Sequence, residues 1–98
     1  MPRVLFTDAA QADLADALAW YETQAPEIVP QFREAMRAVV ARIERNPHQF
    51  APSPHGARRA LLRRFPYLVI FREQADAAYA VAVFHTSRDP RIWRRRTS

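Results

Sequence analysis

His85, Arg88, Arg91 and Trp93 lie close together in the stretch HTSRDPRIWRRR, His85 to Arg96, near the end of the chain. An imidazole titrates at about 6.5 in model compounds, so it can take or give a proton at neutral pH. Guanidinium groups fork onto phosphate or carboxylate. Metal-free cleavage of RNA needs a base for the 2′-hydroxyl, an acid for the departing 5′-oxygen, and cations around the phosphate. His85 is the candidate acid or base, Arg63, Arg64, Arg72 and Arg88 are the candidate cations, with Arg64 and Arg88 foremost, and Tyr67 is a possible assistant. The same residues also make a cationic surface that grips an anionic partner with no chemistry at all. Plainer roles stand beside both: His85 closing the last strand, Arg88 paired with Asp89, Trp93 anchoring the tail by packing, and Arg94 to Arg96 solvated.

Other chemistries find no residues to carry them. The chain has no cysteine, which excludes disulfides and thiolate metal sites. His48, His55 and His85 lack ligand spacing, so no metal is expected. Gly56 is the single glycine, so there is no glycine-rich phosphate loop and no nucleotide cofactor is expected. All fifteen basic residues are arginine. They are unevenly spread: residues 1–49 carry a net charge of −2 and residues 50–98 a net of +7. No apolar run approaches the roughly 20 residues of a membrane span. The N-terminus reaches Asp8 and Asp13 too soon for a signal peptide. A cytoplasmic protein without a membrane partner is expected.

The elements that must position these residues follow from the apolar pattern. Ninety-eight residues, half of them apolar, make one domain over 1–98. Arg3 to Phe6 alternates as a short strand. Thr7 or Asp8 caps a helix whose stripe is Ala10, Leu14, Ala17, Leu18 and Tyr21, with Asp13, Asp16 and Glu22 largely off it. Pro26 ends that helix. A second runs from about Ile28 or Pro30 to Arg45, with Ile28, Phe32, Met36, Val39, Val40 and Ile43 as its stripe, and Asn46-Pro47 stops it. HQFAPSPHGA reads as a loop. ARRALLRRF, YLVIFRE and AAYAVAVFH read as strands, the last two joined by a hairpin at QADA. Pro90 then starts a single helical turn. The order β-α-α-β-β-β predicts an α+β fold, a helical hairpin packed on one face of a small antiparallel sheet, with arginines on the other face.

ADLADALAWYE, FREAMRAVVARIERNP, RRFPYLVIFRE and VAVFHTSRDPRIWRRR together resemble the RelE/ParE superfamily of toxins from type II toxin–antitoxin modules. The pair R-x-FPY-x-V-x-F and H-x-x-RDP-x-x-W is the more specific part. The resemblance implies the same α+β fold and a toxin neutralised by a cognate acidic antitoxin in a hetero-oligomer, with growth inhibition and plasmid stabilization as its consequences. It implies one of two activities. RelE-like members cleave messenger RNA on the ribosome, and ParE-like members act on DNA gyrase without being nucleases. RelE-like nucleases commonly carry arginine where Tyr67 stands, tyrosine near Trp93, and Lys or Glu in the loop that here reads FAPSPHGA. The ParE-like branch is therefore favoured, with the ribonuclease and an inert antitoxin-binding module as alternatives, and enzymatic activity is left open. On this reading Arg63, Arg64, Tyr67, Arg88, Arg91, Trp93, Arg94 and Arg95 meet the target, and Trp20, Tyr21, Phe32 and Arg72 meet the antitoxin.

Overall fold

The computed structural model describes residues 3–97; Met1, Pro2 and Ser98, which the single-domain expectation also takes in, lie outside the described residues. β1 (Arg3–Phe6) is followed by α1 (Asp8–Gln24), α2 (Val29–Arg45), β2 (Ala51–Pro52), β3 (Ala57–Leu61), β4 (Tyr67–Gln74), β5 (Ala77–His85) and α3 (Arg91–Thr97). Both helices start and stop where their caps dictate. The Thr7 side chain accepts from the Ala10 N–H at 3.2 Å, so Thr7 and not Asp8 is the cap of α1. A cap of this kind is worth about 1 kcal/mol. Pro26 opens a single 3-10 turn, Pro26–Ile28, that reverses the chain into α2. Asn46 closes α2 and its side chain accepts from the His48 N–H.

The strands form one sheet in the order β1-β5-β4-β3-β2. Its pairs are antiparallel except β1 with β5, which run parallel in the register Arg3↔Ala77 to Phe6↔Ala80. The purely antiparallel expectation fails there because the helical hairpin and three strands separate β1 from β5, a connection long enough to permit parallel pairing. The expected loop at HQFAPSPHGA contains β2, a two-residue edge strand. Pro52 is tolerated in it because an edge strand has one side with no ladder to complete. A bulge offsets β5 against β4, since Ile70 faces Ala82 whereas Phe71 faces Ala80.

One core lies between the helical hairpin and the sheet. α2 supplies Phe32, Met36, Val39 and Ile43, α1 supplies Ala10 and Ala17, and the sheet supplies Ala60, Val69, Phe71, Ala78, Ala80 and Val83. The reverse face is not bare. α3 lays Trp93 on it, in a second cluster with Ala57, Ile70, Val81, Ala82 and Phe84. The expectation that this face carries only arginines is thus corrected. Strand alternation drives apolar residues to both faces of β4 and β5, and the tail must cover those that the hairpin does not.

Candidate functional site: the cleft between α1 and the end of β5

β1 ends opposite Ala80, so from Val81 to His85 the strand β5 has a strand neighbour only on its β4 side. A cleft of about 740 Å³ opens along this stretch. Asp13, Asp16, Ala17, Trp20 and Tyr21 of α1 form one wall, and Pro66, Tyr67, His85, Ser87 and Arg88 close the far end. Trp93 and Arg96 of α3 contribute to its lining.

The floor is pinned by one ion pair. Asp13 Oδ2 accepts from the Val83 backbone N–H at 3.0 Å and from Arg96 Nη1 at 2.6 Å. Asp13 Oδ1 accepts from Arg96 Nη2 at 3.3 Å, and Arg96 Nη1 also donates to the Val81 carbonyl at 3.0 Å. Bidentate pairing of this sort fixes geometry as well as charge. Arg96 therefore clamps α3 to α1 across the open side of β5 and does not belong to a solvated tail.

Aromatic residues build the far end. Arg64 takes a positive φ of 71° in the turn between β3 and β4. Left-handed backbone is costly for a residue with a Cβ. The turn delivers Phe65 edge-on to Phe32 and Tyr21, at centroid distances of 5.2 and 5.7 Å. Tyr67 follows and meets the His85 ring edge-on at 5.1 Å. Burial pushes the Tyr67 phenol above its ordinary pKa and Tyr21 adds to the rise, while Arg88 acts in the opposite direction. Burial alone raises Tyr21. Both phenols are protonated donors at neutral pH.

His85 has a defined hydrogen-bond state. Its Nδ1 accepts from the Ser87 backbone N–H at 3.1 Å and lies 2.7 Å from the Ser87 hydroxyl. A ring nitrogen that accepts an N–H carries no proton, so neutral His85 holds its proton on Nε2. Its one lone pair is thereby occupied within its own turn. The expected Arg88–Asp89 pair does not form. Asp89 binds Arg91 instead, with the carboxylate 2.6 Å from Arg91 Nη2 and accepting from Arg91 Nε and N. These bonds hold Asp89 below the usual carboxylate range. The proline that follows Asp89 opens the path to α3, and the short carboxylate reaches forward to the helix start rather than back along the turn.

The structure brings Trp20, Tyr21, Tyr67, His85, Arg88 and the buried Trp93 to one cleft and leaves the other expected residues outside its lining. Arg63 and Arg64 are exposed in the β3–β4 turn outside its lining, so the trio His85, Arg64 and Arg88 does not assemble. Arg91, Arg94 and Arg95 are exposed on α3. Trp93 is 3% exposed, edge-on to Phe84 at 6.3 Å, so its expected contact with a target is corrected to a packing role. Phe32 is 0% exposed and cannot meet an antitoxin without unpacking the core. Arg72 alternates with Phe71 and so lies on the α3 side of the sheet, away from Trp20 on α1. Of the four residues expected to meet an antitoxin, Trp20 and Tyr21 line the cleft. Nothing in the sequence points to Asp13, Asp16 or Ser87 here, and it places Arg96 only in the basic tail. Helix periodicity places Asp13 off the apolar stripe, and nothing local shows that Val83 and Arg96 come to meet it.

Among the described residues no group of three or more His, Cys, Asp or Glu is placed to hold a metal ion. No described helix is long and apolar enough to cross a membrane.

Residues 4–90 match the family model described as the ParE toxin of the type II toxin–antitoxin system, parDE. Among solved structures, the fold is similar to a chain of the "Chromosomal ParDE TA system from P. aeruginosa", with a TM-score of 0.76 at 22% identity, covering 89% of this chain and 98% of that one. No curated protein matches.

Proposed function

The chain belongs to the ParE toxin family of type II toxin–antitoxin modules, and from that premise we propose that it arrests DNA gyrase by binding and that a cognate acidic antitoxin silences it at the α1–β5 cleft. The observation that carries the non-enzymatic part is the hydrogen bond from the Ser87 backbone N–H to His85 Nδ1. A general base needs a free lone pair, and the one on Nδ1 is already taken by Ser87. The remaining nitrogen of the neutral ring bears a proton and can only donate. Tyr67, 5.1 Å away and shifted toward its protonated form, does not supply the missing base. What remains is a concave surface lined with aromatic side chains, suited to binding.

The antitoxin part rests on Trp20. It is 57% exposed on the wall of the cleft and makes an edge-on contact with Tyr21 at 5.1 Å. Large exposed aromatics beside a concave surface are the usual anchors of interfaces. Acidic side chains of the partner would find Arg88 at the cleft's far end.

A supercoiling assay with purified chain tests the target. The expected outcome is loss of gyrase supercoiling, restored by adding a short acidic protein encoded beside the toxin. Unchanged gyrase turnover in excess toxin refutes it. The ribonuclease alternative is favoured by one observation, the meeting of His85, Tyr67 and Arg88 in a single cleft. Primer extension on translated message decides it, since new cuts lost in His85→Ala would establish a nuclease. Growth unaffected by forced expression would favour an inert antitoxin-binding module.

A further inference from the structure

We propose that a second groove, on the face of the sheet opposite the helical hairpin, binds the phosphate backbone of duplex DNA through Arg59, Arg88 and Arg94. The groove measures about 310 Å³, and these three arginines line it together with the hydroxyl residues Ser53 and Thr86. They come from three separate elements: Arg59 from β3, Arg88 from the loop after β5, and Arg94 from α3. Each is exposed, and none makes an ion pair among the described residues.

Several arginines around them are paired. Arg58 lies near Glu73, Arg91 pairs with Asp89, and Arg96 pairs with Asp13. The protein's own carboxylates thus pair with several arginines around the groove and form no ion pair with those inside it. Among the described residues no carboxylate lines it. Asp89 is the nearest in sequence, and Arg91 occupies it. Arg94 is held in place, its guanidinium carbon 5.8 Å from the centre of the Trp93 ring. Converging cations with flanking hydroxyls and backbone are the ordinary means of gripping a phosphodiester.

The aromatic content selects duplex over single strand. Recognition of unpaired bases relies on exposed aromatic faces for stacking. The aromatics lining this groove, Phe84 and Trp93, are 7% and 3% exposed, packed edge-on to each other. The groove can grip a backbone but offers no base a platform.

The preference for DNA rests on the gyrase reading, since a toxin that arrests gyrase acts where duplex is held; the groove itself does not depend on that reading. Two measurements keep them separate. The first is binding of the full chain to a short labelled duplex as a function of salt, by fluorescence anisotropy. Each phosphate contact contributes about 0.9 to the slope of log affinity against log salt. Wild type should therefore show a slope of roughly −3 from this groove, and Arg59→Ala with Arg94→Ala should lower its magnitude by about 2. The control removes the same charge elsewhere, with Arg3→Ala and Arg45→Ala, and should leave the slope near wild type. The second is the Nε–H resonances of Arg59, Arg88 and Arg94, which should shift on adding duplex while those of Arg3 and Arg45 stay put. Equal effects of the two double variants, or unshifted groove resonances, overturn the assignment. Single-stranded RNA bound more tightly than duplex overturns the choice of DNA. Gyrase arrest that survives in Arg59→Ala with Arg94→Ala, with duplex binding lost, would keep this groove and detach it from inhibition. Duplex binding as expected with gyrase unaffected would refute the gyrase reading and leave the groove standing.

Discussion

Asp13→Ala tests how much of the fold hangs on the clamp between α1 and α3. The carboxylate receives three hydrogen bonds, from the Val83 N–H at 3.0 Å and from Arg96 at 2.6 and 3.3 Å. Hydrogen bonds to a charged group contribute about 1.5–3 kcal/mol when buried. The side chains of Asp13 and Arg96 are 23% and 27% exposed, so solvent screens part of this. The longest contact adds little. The substitution also strands the Val83 N–H and leaves Arg96 without its counter-charge. Together these give a loss of about 2 kcal/mol. For a domain of this size that lowers the melting temperature by about 10 °C. Asp13→Asn keeps an acceptor for Val83 and should recover roughly half. Calorimetric melting or urea unfolding measures both. The further requirement is coupling: the double variant Asp13→Ala with Arg96→Ala should cost less than the sum of the singles by at least about 1 kcal/mol. Additive losses, or an Asp13→Ala variant within about 0.5 kcal/mol of wild type, would refute the clamp.

Trp93→Ala should cost about 3–5 kcal/mol in urea unfolding, the usual loss for a buried aromatic, because it empties the cluster beneath α3. Ala75→Gly should raise stability by about 1 kcal/mol, since Ala75 holds a φ of 56° in the hairpin turn between β4 and β5 where a Cβ is strained; an unchanged melting temperature would count against that strain. Tyr67 and Tyr21 should ionise above the ordinary phenol value of 10.0, read from tyrosinate absorbance on raising the pH. Because their folded pKa values are raised, the stabilisation is complete below the unfolded value and is lost as pH climbs through the folded ones. Trp20→Ala should leave melting unchanged, as Trp20 is largely exposed, but should weaken capture of the antitoxin in a pull-down.

The helical hairpin is legible in the sequence because its signals are local. Thr7, Pro26 and Asn46-Pro47 punctuate it, and the Phe32, Met36, Val39 and Ile43 stripe repeats within one helix. β4 and β5 are legible for the same reason, as apolar runs around a short turn. The parallel pairing of β1 with β5 is not, because it depends on where the chain returns after two helices and three strands. The site splits the same way. His85 and Tyr67 stand out by residue type, and their register pairing follows once the hairpin is granted. The clamp joins residues 70 and 83 positions apart, and periodicity alone reads Asp13 as a solvent-facing acid. Trp93 shows the limit of composition: an indole among arginines suits stacking and packing equally, and only the second cluster on the sheet decides for packing.

The short reach of β1 has a cost that the tail offsets. A strand margin with unpaired amides recruits strands from other molecules, and proteins commonly guard such margins with charge. Between Val81 and Val83 the guard is Asp13 on one amide and Arg96 on one carbonyl, so no foreign backbone can dock there without first expelling both. The last turn of α3 is in this sense a gasket against strand addition, and trimming it should lay the margin bare and make it adhesive.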